Sequence, residues 1–266
     1  MRTKQNPSVL RRILAYPQDV GADVDDPRVT YQRRTIIREK RLLHAIYEEW
    51  YSMQIACLPT SSGITLEIGS GAGFFKERND RTLTSEVFYY PFVDAILDGT
   101  RIPLSAAALR SIVMTDVFHH IPDVEQFFRE ALRTLRKGGR IIMIEPWVSR
   151  WSRWVMDHFH SEPMDVSMQT WQFPSHGPLS SSNQALPWIV FERDRILFEQ
   201  KFPDLKVITL QPFMPFRYLL SGGVSMRALI PAGCNAILKG IERKLDQRKW
   251  AMFALIVLEK KADRKP

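Results

Sequence analysis

Glu67 heads a run of alternating glycines, Glu67-x-Gly69-x-Gly71-x-Gly73, placed directly after the apolar run Ile64-Thr65-Leu66 and before Phe74-Phe75-Lys76-Glu77. A glycine loop between a strand and a helix lets backbone N–H groups come close to a ligand, which suits any nucleotide-like cofactor. A dinucleotide needs a small residue at the sixth position of GxGxxG; Phe74 stands there, and its bulk disfavours a dehydrogenase. His119 and His120 follow Thr115-Asp116 at the end of a predicted strand. A neutral imidazole there can take a proton from an attacking hydroxyl or amine. Glu145, ending a further strand, can position or deprotonate an acceptor. In Asp157-His158-Phe159-His160-Ser161-Glu162, His158 and His160 occupy alternate positions, which point to opposite faces of a strand. No partner cluster is visible, so no metal site is expected. A role beside an acceptor fits His158, His160 or Glu162 better, and Arg217 and Tyr218, ahead of Gly222-Gly223, are candidates to shape the mouth of that pocket.

These residues need a scaffold. Residues 1 to about 29 mix Pro, Asp and Arg and read as an irregular leader. From Tyr31 to Cys57 apolar residues recur at helical spacing, predicting an amphipathic helix or helix pair that Pro59 ends. Strands are expected at Ile64–Ile68, 82–87, 93–97, 111–115 and 140–145, and again at 205–210 and 251–258. Asp123 caps a helix through Phe127, Phe128, Ala131 and Leu135 that stops at Gly138-Gly139. Strands alternating with helices or short crossovers predict an α/β, doubly wound, parallel sheet. Between about 147 and 200 the rhythm breaks into a Trp-, His- and Pro-rich stretch, read as a lid-like insertion after strand five. Its tryptophans fit a small satellite core or an aromatic acceptor pocket equally well.

With 45% hydrophobic and 25% charged residues over 266 positions, the chain falls outside the disordered, fibrous and disulfide-scaffold classes. Its two cysteines, Cys57 and Cys234, lie far apart with no ligand spacing, which points to a reducing, cytoplasmic setting. No apolar stretch is long enough to span a bilayer, leaving peripheral membrane contact as the alternative. A formal charge of +8 suits anionic partners.

The acidic residue followed by alternating glycines resembles motif I of the class I S-adenosylmethionine-dependent methyltransferases, and the likeness continues in register from about Ile64 to Pro146. Thr115-Asp116-Val117-Phe118-His119-His120-Ile121-Pro122 looks like the family's segment after strand four, and Leu135-Arg136-Lys137-Gly138-Gly139-Arg140 like its turn before strand five. The resemblance implies a Rossmann-like seven-stranded sheet over residues 61–262, preceded by an N-terminal leader and helical extension over 1–60.

It also implies S-adenosylmethionine as cofactor and S-adenosylhomocysteine as product. Glu67, Gly69, Ser70, Gly71 and Gly73 would form the cofactor loop, Glu86 would hold the ribose hydroxyls, and Asp98-Gly99 would meet the adenine amino group. Asp116 would touch the cofactor through backbone or side chain. The reaction implied is methyl transfer to an oxygen, nitrogen or carbon of a small or lipid-linked acceptor, with an anionic one favoured by the basic charge. Two other readings fit the same residues: a non-catalytic binding protein for the cofactor or its product, and an RNA methyltransferase using the basic face. Nucleic acid is disfavoured, because neither an Asn/Asp-Pro-Pro-Tyr segment nor a cysteine follows strand four.

Overall fold

The computed structural model describes residues 25–159, 162–174, 177 and 181–262. Seven strands form one sheet: β1 (Ile64–Ile68), β2 (Thr82–Glu86), β3 (Ala95–Ile96), β4 (Leu109–Thr115), β5 (Leu135–Pro146), β6 (Leu205–Phe213) and β7 (Phe253–Lys260), in the order β3-β2-β1-β4-β5-β7-β6. The first five are parallel, whereas β7 runs antiparallel between β5 and β6. The doubly wound parallel arrangement expected from the alternation is present over β1–β5, and β7 adds an antiparallel strand. Alternation of strands and helices does not encode where a chain re-enters a sheet, and here the last strand slots back between its two predecessors.

The sheet is apolar on both faces because helices cover both. The two-residue period of a strand divides β4 and β5 between two cores. Ile112, Met114, Ile141 and Met143 pack with Phe127, Phe128 and Ala131 of a helix spanning Val124–Thr134. Val113, Ile142 and Ile144 face the opposite side, against Ile37, Leu43, Ile46, Trp50 and Tyr51 of two N-terminal helices. We number these helices α1 (Pro27–Glu39) and α2 (Arg41–Ala56); the others in chain order are α3 (Phe75–Arg78), α4 (Val124–Thr134) and α5 (Arg150–Phe159). After them come α6 (Leu186–Trp188), which runs into a π-helical turn at Ile189–Arg193, then α7 (Arg195–Lys201), α8 (Arg217–Ser221), α9 (Asn235–Glu242) and α10 (Gln247–Trp250).

Several local expectations change. Residues 27–29 belong to α1 rather than to an irregular leader: the Asp26 side chain accepts from Arg28 N–H and Pro27 takes the first helical position, so Asp-Asp-Pro is a helix start. Residues 1–24 lie outside the described residues. α4 ends at Thr134, and Gly138-Gly139 fall within the irregular opening of β5. Trp147 and Trp171 are core residues. Trp151 stacks on Trp154 and meets Trp250 and Phe216 in a satellite cluster, so these tryptophans pack the protein instead of lining an acceptor pocket.

α2 is anchored to the sheet beside the carboxyl ends of the strands. Gln54, fully buried, donates from Nε2 to the Met114 carbonyl at 2.8 Å and meets Thr115 Oγ1 through Oε1 at 3.2 Å. A break at Lys40 separates the helices, and the Lys40 ammonium donates to the carbonyls of Gly223 and Met226.

Candidate active site

The glycine loop is fixed by bonds between the ends of β1 and β2. Ser70 N–H donates to the Ser85 carbonyl at 2.9 Å, Ser85 N–H to Ser70 Oγ at 3.1 Å, and Ser85 Oγ to the Glu67 carbonyl at 2.7 Å. Gly69 has φ +68°, and a Cβ there would lie 2.5 Å from a Val117 methyl, so the loop leans directly on the segment after β4. Gly71 has φ +35°, and a Cβ would stand 3.2 Å from Glu86 Oε1. Phe74, at the position where a dinucleotide site needs a small residue, is buried, with its ring stacked on His44 at 4.8 Å and its N–H donating to the Tyr51 hydroxyl. α3 is only four residues long, so the loop presents its own backbone without a long helix behind it.

Two acids flank the loop. Glu67 is buried, and burial together with the neighbouring Glu86 charge pushes its carboxyl up to about 7, against the lowering bond from Ser70. Glu86 accepts from Val87 N–H at 2.7 Å and is likewise raised by burial. Asp98 is exposed, and its Oδ1 takes Thr100 N–H and Oγ1 at 2.7 and 2.8 Å, tightening its own turn; Gly99 is buried against Ile68, Ile121 and Phe127.

Asp116 has φ +62°, a left-handed conformation unfavourable to a side-chain-bearing residue and typical of functional turns. Its N–H donates to the Ile144 carbonyl at 2.8 Å. Burial raises its carboxyl to about 6, with the charges of Glu145 and Glu162 adding to the effect and that of His119 opposing it.

The segment after β4 is organised by Glu145, which is completely buried. Oε1 accepts from Val117 and Phe118 N–H at 2.9 and 2.8 Å, and Oε2 lies 2.9 Å from His119 Nδ1. Both oxygens are occupied by this turn, so Glu145 is a positioning residue and not a free base. His119 Nε2 lies 3.6 Å from Glu162 Oε2, and His120 Nε2 lies 3.9 Å from the same oxygen. Burial tends to lower His119, but its bonds with Glu145 and Glu162 hold it up to about 10, whereas burial and the neighbouring His119 charge push His120 down to about 3.

Glu162 also accepts from Ser182 Oγ at 3.0 Å and from Gln184 Nε2, and Asn183 N–H donates to the His119 carbonyl at 3.0 Å. The insertion thus closes over the His119-His120 turn through Glu162 and residues 182–184. Nothing in the sequence spacing announces this meeting, because the partners lie more than forty residues apart.

Other candidates fall elsewhere. His158 sits in the last turn of α5, not on a strand; its ring stacks on Trp154 and its Nδ1 bonds the Trp154 carbonyl on an exposed flank. His160 lies outside the described residues. Arg217 is buried, with Nε on Glu242 at 2.6 Å and its Nη atoms on Glu49 at 2.8 and 3.1 Å, so it clamps α8 to α2 and α9 rather than shaping a pocket mouth. Tyr218 stacks on Trp50 and meets Phe253 edge-on, and its hydroxyl is raised well above its usual value by burial and by the proximity of Tyr47 and Asp116.

The N-terminal helices supply residues that the sequence did not single out. Arg34 donates to the Gly73 carbonyl and lies over the Phe92 ring at 4.5 Å. Its neighbour Arg33 acts electrostatically on Asp116, His120, Tyr47 and Tyr218, and Arg33 Nε is buried without a hydrogen-bond partner among the described residues. A cleft is lined by Arg34, Glu67, Ser70, Gly73, Phe74 and Phe92. The adjacent pair Arg33-Arg34 on an otherwise amphipathic helix was the one available signal.

Comparison with known proteins bears on this geometry. Residues 66–143 match the family model described as a methyltransferase domain. A chain from the complex of the Haloferax volcanii Trm112 methyltransferase activator and its methyltransferase is similar in fold, with TM-score 0.51, 12% identity, and coverage of 92% of this chain and 100% of that one. A Thermotoga maritima methyltransferase (TM-score 0.49, 17% identity, 87% and 99% covered) and the Streptomyces coelicolor geranyl diphosphate C-methyltransferase (0.49, 14%, 85% and 82%) are also similar. No curated protein matches the chain. No helix among the described residues is long and apolar enough to cross a membrane. The matched segment runs from β1 into β5 of a Rossmann-like sheet in the order β3-β2-β1-β4-β5-β7-β6, so this part of the chain is similar to a methyltransferase domain.

Proposed function

We propose that the enzyme methylates a small acceptor bearing an anionic group, held between the turn after β4 and the paired N-terminal helices. The buried Nε of Arg33, without a hydrogen-bond partner among the described residues, carries this reading, since an anionic oxygen is the natural partner for a desolvated guanidinium N–H. Tyr47, Tyr218, Asp116 and His120 share its electrostatic surroundings and would form the rest of the acceptor region.

The residues of the loop fit the family's cofactor. Two buried acids beside a glycine held at a positive φ make a cradle for a ligand rich in hydroxyls and carrying an ammonium. Glu86 would hold the ribose hydroxyls, Glu67 the amino-acid ammonium, and Gly69, Ser70, Gly71 and Gly73 the backbone approach. Asp98 and Gly99 would border the adenine, and Asp116 would border the reacting end. When bound, S-adenosylmethionine supplies a methyl group on a sulfonium, an already good leaving group.

The chain's own task is then to hold the acceptor at attack distance and keep water out. A proton lost from an acceptor hydroxyl or amine would pass to Asp116, whose carboxyl is raised to about 6. His120, pushed down by burial and by the His119 charge, is the weaker base, and its Nδ1 lies 3.2 Å from the Ser181 carbonyl. Glu145 keeps the whole turn in place.

Formation of S-adenosylhomocysteine, followed over a panel of small carboxylate, phosphate and neutral acceptors, tests the reading. Turnover is expected with anionic members, and Arg33→Met should raise their KM by about tenfold or more while leaving S-adenosylhomocysteine affinity within about twofold. Turnover of neutral acceptors with no response to Arg33→Met would overturn it.

A further inference from the structure

His119, His120 and Glu162 offer one donor atom each, and these atoms all lie within 4.8 Å of one another. The donors are the two imidazole Nε2 atoms and Glu162 Oε2, at 3.6 and 3.9 Å from the shared oxygen. Around a tetrahedral ion with N and O ligands near 2.0–2.1 Å, donors stand roughly 3.3 Å apart, so side-chain adjustments of a few tenths of an ångström to about 1 Å bring all three into a coordination sphere.

What surrounds the donors matters more than their spacing. His119 Nδ1 faces Glu145 Oε2 at 2.9 Å, and His120 Nδ1 faces the Ser181 carbonyl at 3.2 Å. Each partner accepts a hydrogen bond from Nδ1–H, so both Nε2 atoms face Glu162, and a cation would displace the proton that His119 Nε2 shares with that carboxylate. A carboxylate on one histidine and a backbone carbonyl on the other are the supports that fix tautomer and ring orientation in protein metal sites. Glu162 is itself held by Ser182 and Gln184. The two rings lie 4.2 Å apart and belong to a rigid turn between β4 and α4, while Glu162 comes from the insertion that closes on it.

We propose that His119, His120 and Glu162 form a binding site for a first-row divalent transition cation such as Zn²⁺, Co²⁺ or Fe²⁺. Two imidazoles and one carboxylate disfavour Mg²⁺ and Ca²⁺, which take oxygen donors, and three protein ligands leave at least one position for an external donor. Since Asp116 precedes the two histidines by three and four residues, that open position lies in the neighbourhood assigned to the acceptor; this last step rests on the methyl-transfer reading, whereas the cation site stands on its own geometry. A cation bound there would occupy His120 Nε2, leaving Asp116 to receive the acceptor's proton, and would tie the insertion to the sheet.

The test uses full-length protein stripped with chelator and titrated with Co²⁺, whose visible absorption reports coordination by protein ligands. One equivalent per chain should produce visible bands that Zn²⁺ abolishes by competition. Glu162→Gln and His120→Asn should each weaken binding by about tenfold or more, and Glu145→Gln, acting only through His119, by about tenfold. His158→Gln should leave binding unchanged. Thermal unfolding of each stripped variant identifies any that fails to fold, and the remaining ones decide. Absence of bands, or Co²⁺ binding indifferent to Glu162→Gln and His120→Asn, would overturn the proposal and leave the trio as a hydrogen-bonded network alone. S-adenosylhomocysteine affinity, measured in parallel, separates the two readings: its loss with Co²⁺ binding intact would remove the methyl-transfer account and spare the cation site.

Discussion

Glu145 and His119 form a buried pair, Oε2 to Nδ1 at 2.9 Å, in which the same carboxylate also receives two consecutive backbone N–H groups of the turn after β4. The end of β5 thereby dictates the conformation of the end of β4, and with it the placement of Asp116 and His120. Replacing Glu145 by Ala would strand two amides and an imidazole in the interior, at a cost of about 3–5 kcal/mol. Urea unfolding is expected to show this loss, with Glu145→Gln recovering part of it because one amide oxygen can still accept from the backbone. Equal midpoints for wild type and Glu145→Ala would contradict the assigned role.

The glycines of the loop should separate by function. Gly71→Val would push a branched side chain against Glu86 at a positive φ, so S-adenosylhomocysteine binding should vanish in calorimetry even at temperatures where the variant, lowered in midpoint by the backbone strain, is fully folded. Gly69→Ala meets Val117 instead, and its defect should be one of stability, relieved in a Val117→Ala background. Retained binding in Gly71→Val would remove the loop from the cofactor site.

Cofactor affinity should rise with pH. Glu67, raised to about 7 in the fold from 4.5, is partly protonated near neutrality, and an ammonium binds its ionised form. For the protein alone the folded state holds this proton more tightly than the unfolded state, so stability falls as pH climbs from about 4.5 to 7. Binding reverses the preference and releases the proton. Affinity for S-adenosylhomocysteine is therefore expected to increase by up to about tenfold per pH unit below 7 and to level off above it, with Glu67→Gln flattening the profile. A flat wild-type profile between pH 6 and 8 would exclude Glu67 as the ammonium's partner.

Arg217 is expected to matter for folding and not for ligands. Arg217→Met leaves Glu242 and part of Glu49 without their buried partner and should cost about 3–5 kcal/mol in urea unfolding, with S-adenosylhomocysteine affinity within about twofold of wild type. A variant of undiminished stability with impaired acceptor KM would return Arg217 to the acceptor region.

How far the sequence could be read depends on the range of the interactions. β1, β4 and β5 are continuous apolar runs beside glycine turns, and their identity follows from local composition. The antiparallel entry of β7 does not, because strand direction is set by tertiary closure. Asp26-Pro27 carried a helix start that reads, in isolation, as a turn. Glu67, the glycines and Glu86 are gathered by a single strand–loop–strand unit, so their neighbourhood was legible. Glu162 reaches His119 and His120 only because the insertion folds back across the sheet, and Arg34 reaches the cleft only because α1 and α2 pack on the core. His158 and Arg217 lie away from the expected pocket for a related reason: type and proximity to glycines or histidines say little about which way a helix turns its side chains.

The most direct check is calorimetric titration of the purified protein with S-adenosylmethionine and S-adenosylhomocysteine, with NAD as control. Micromolar binding of both sulfur nucleotides and none of NAD is expected, since Phe74 stands where a dinucleotide loop needs a small residue. Failure of both sulfur nucleotides to bind, or binding of NAD in their place, would contradict it.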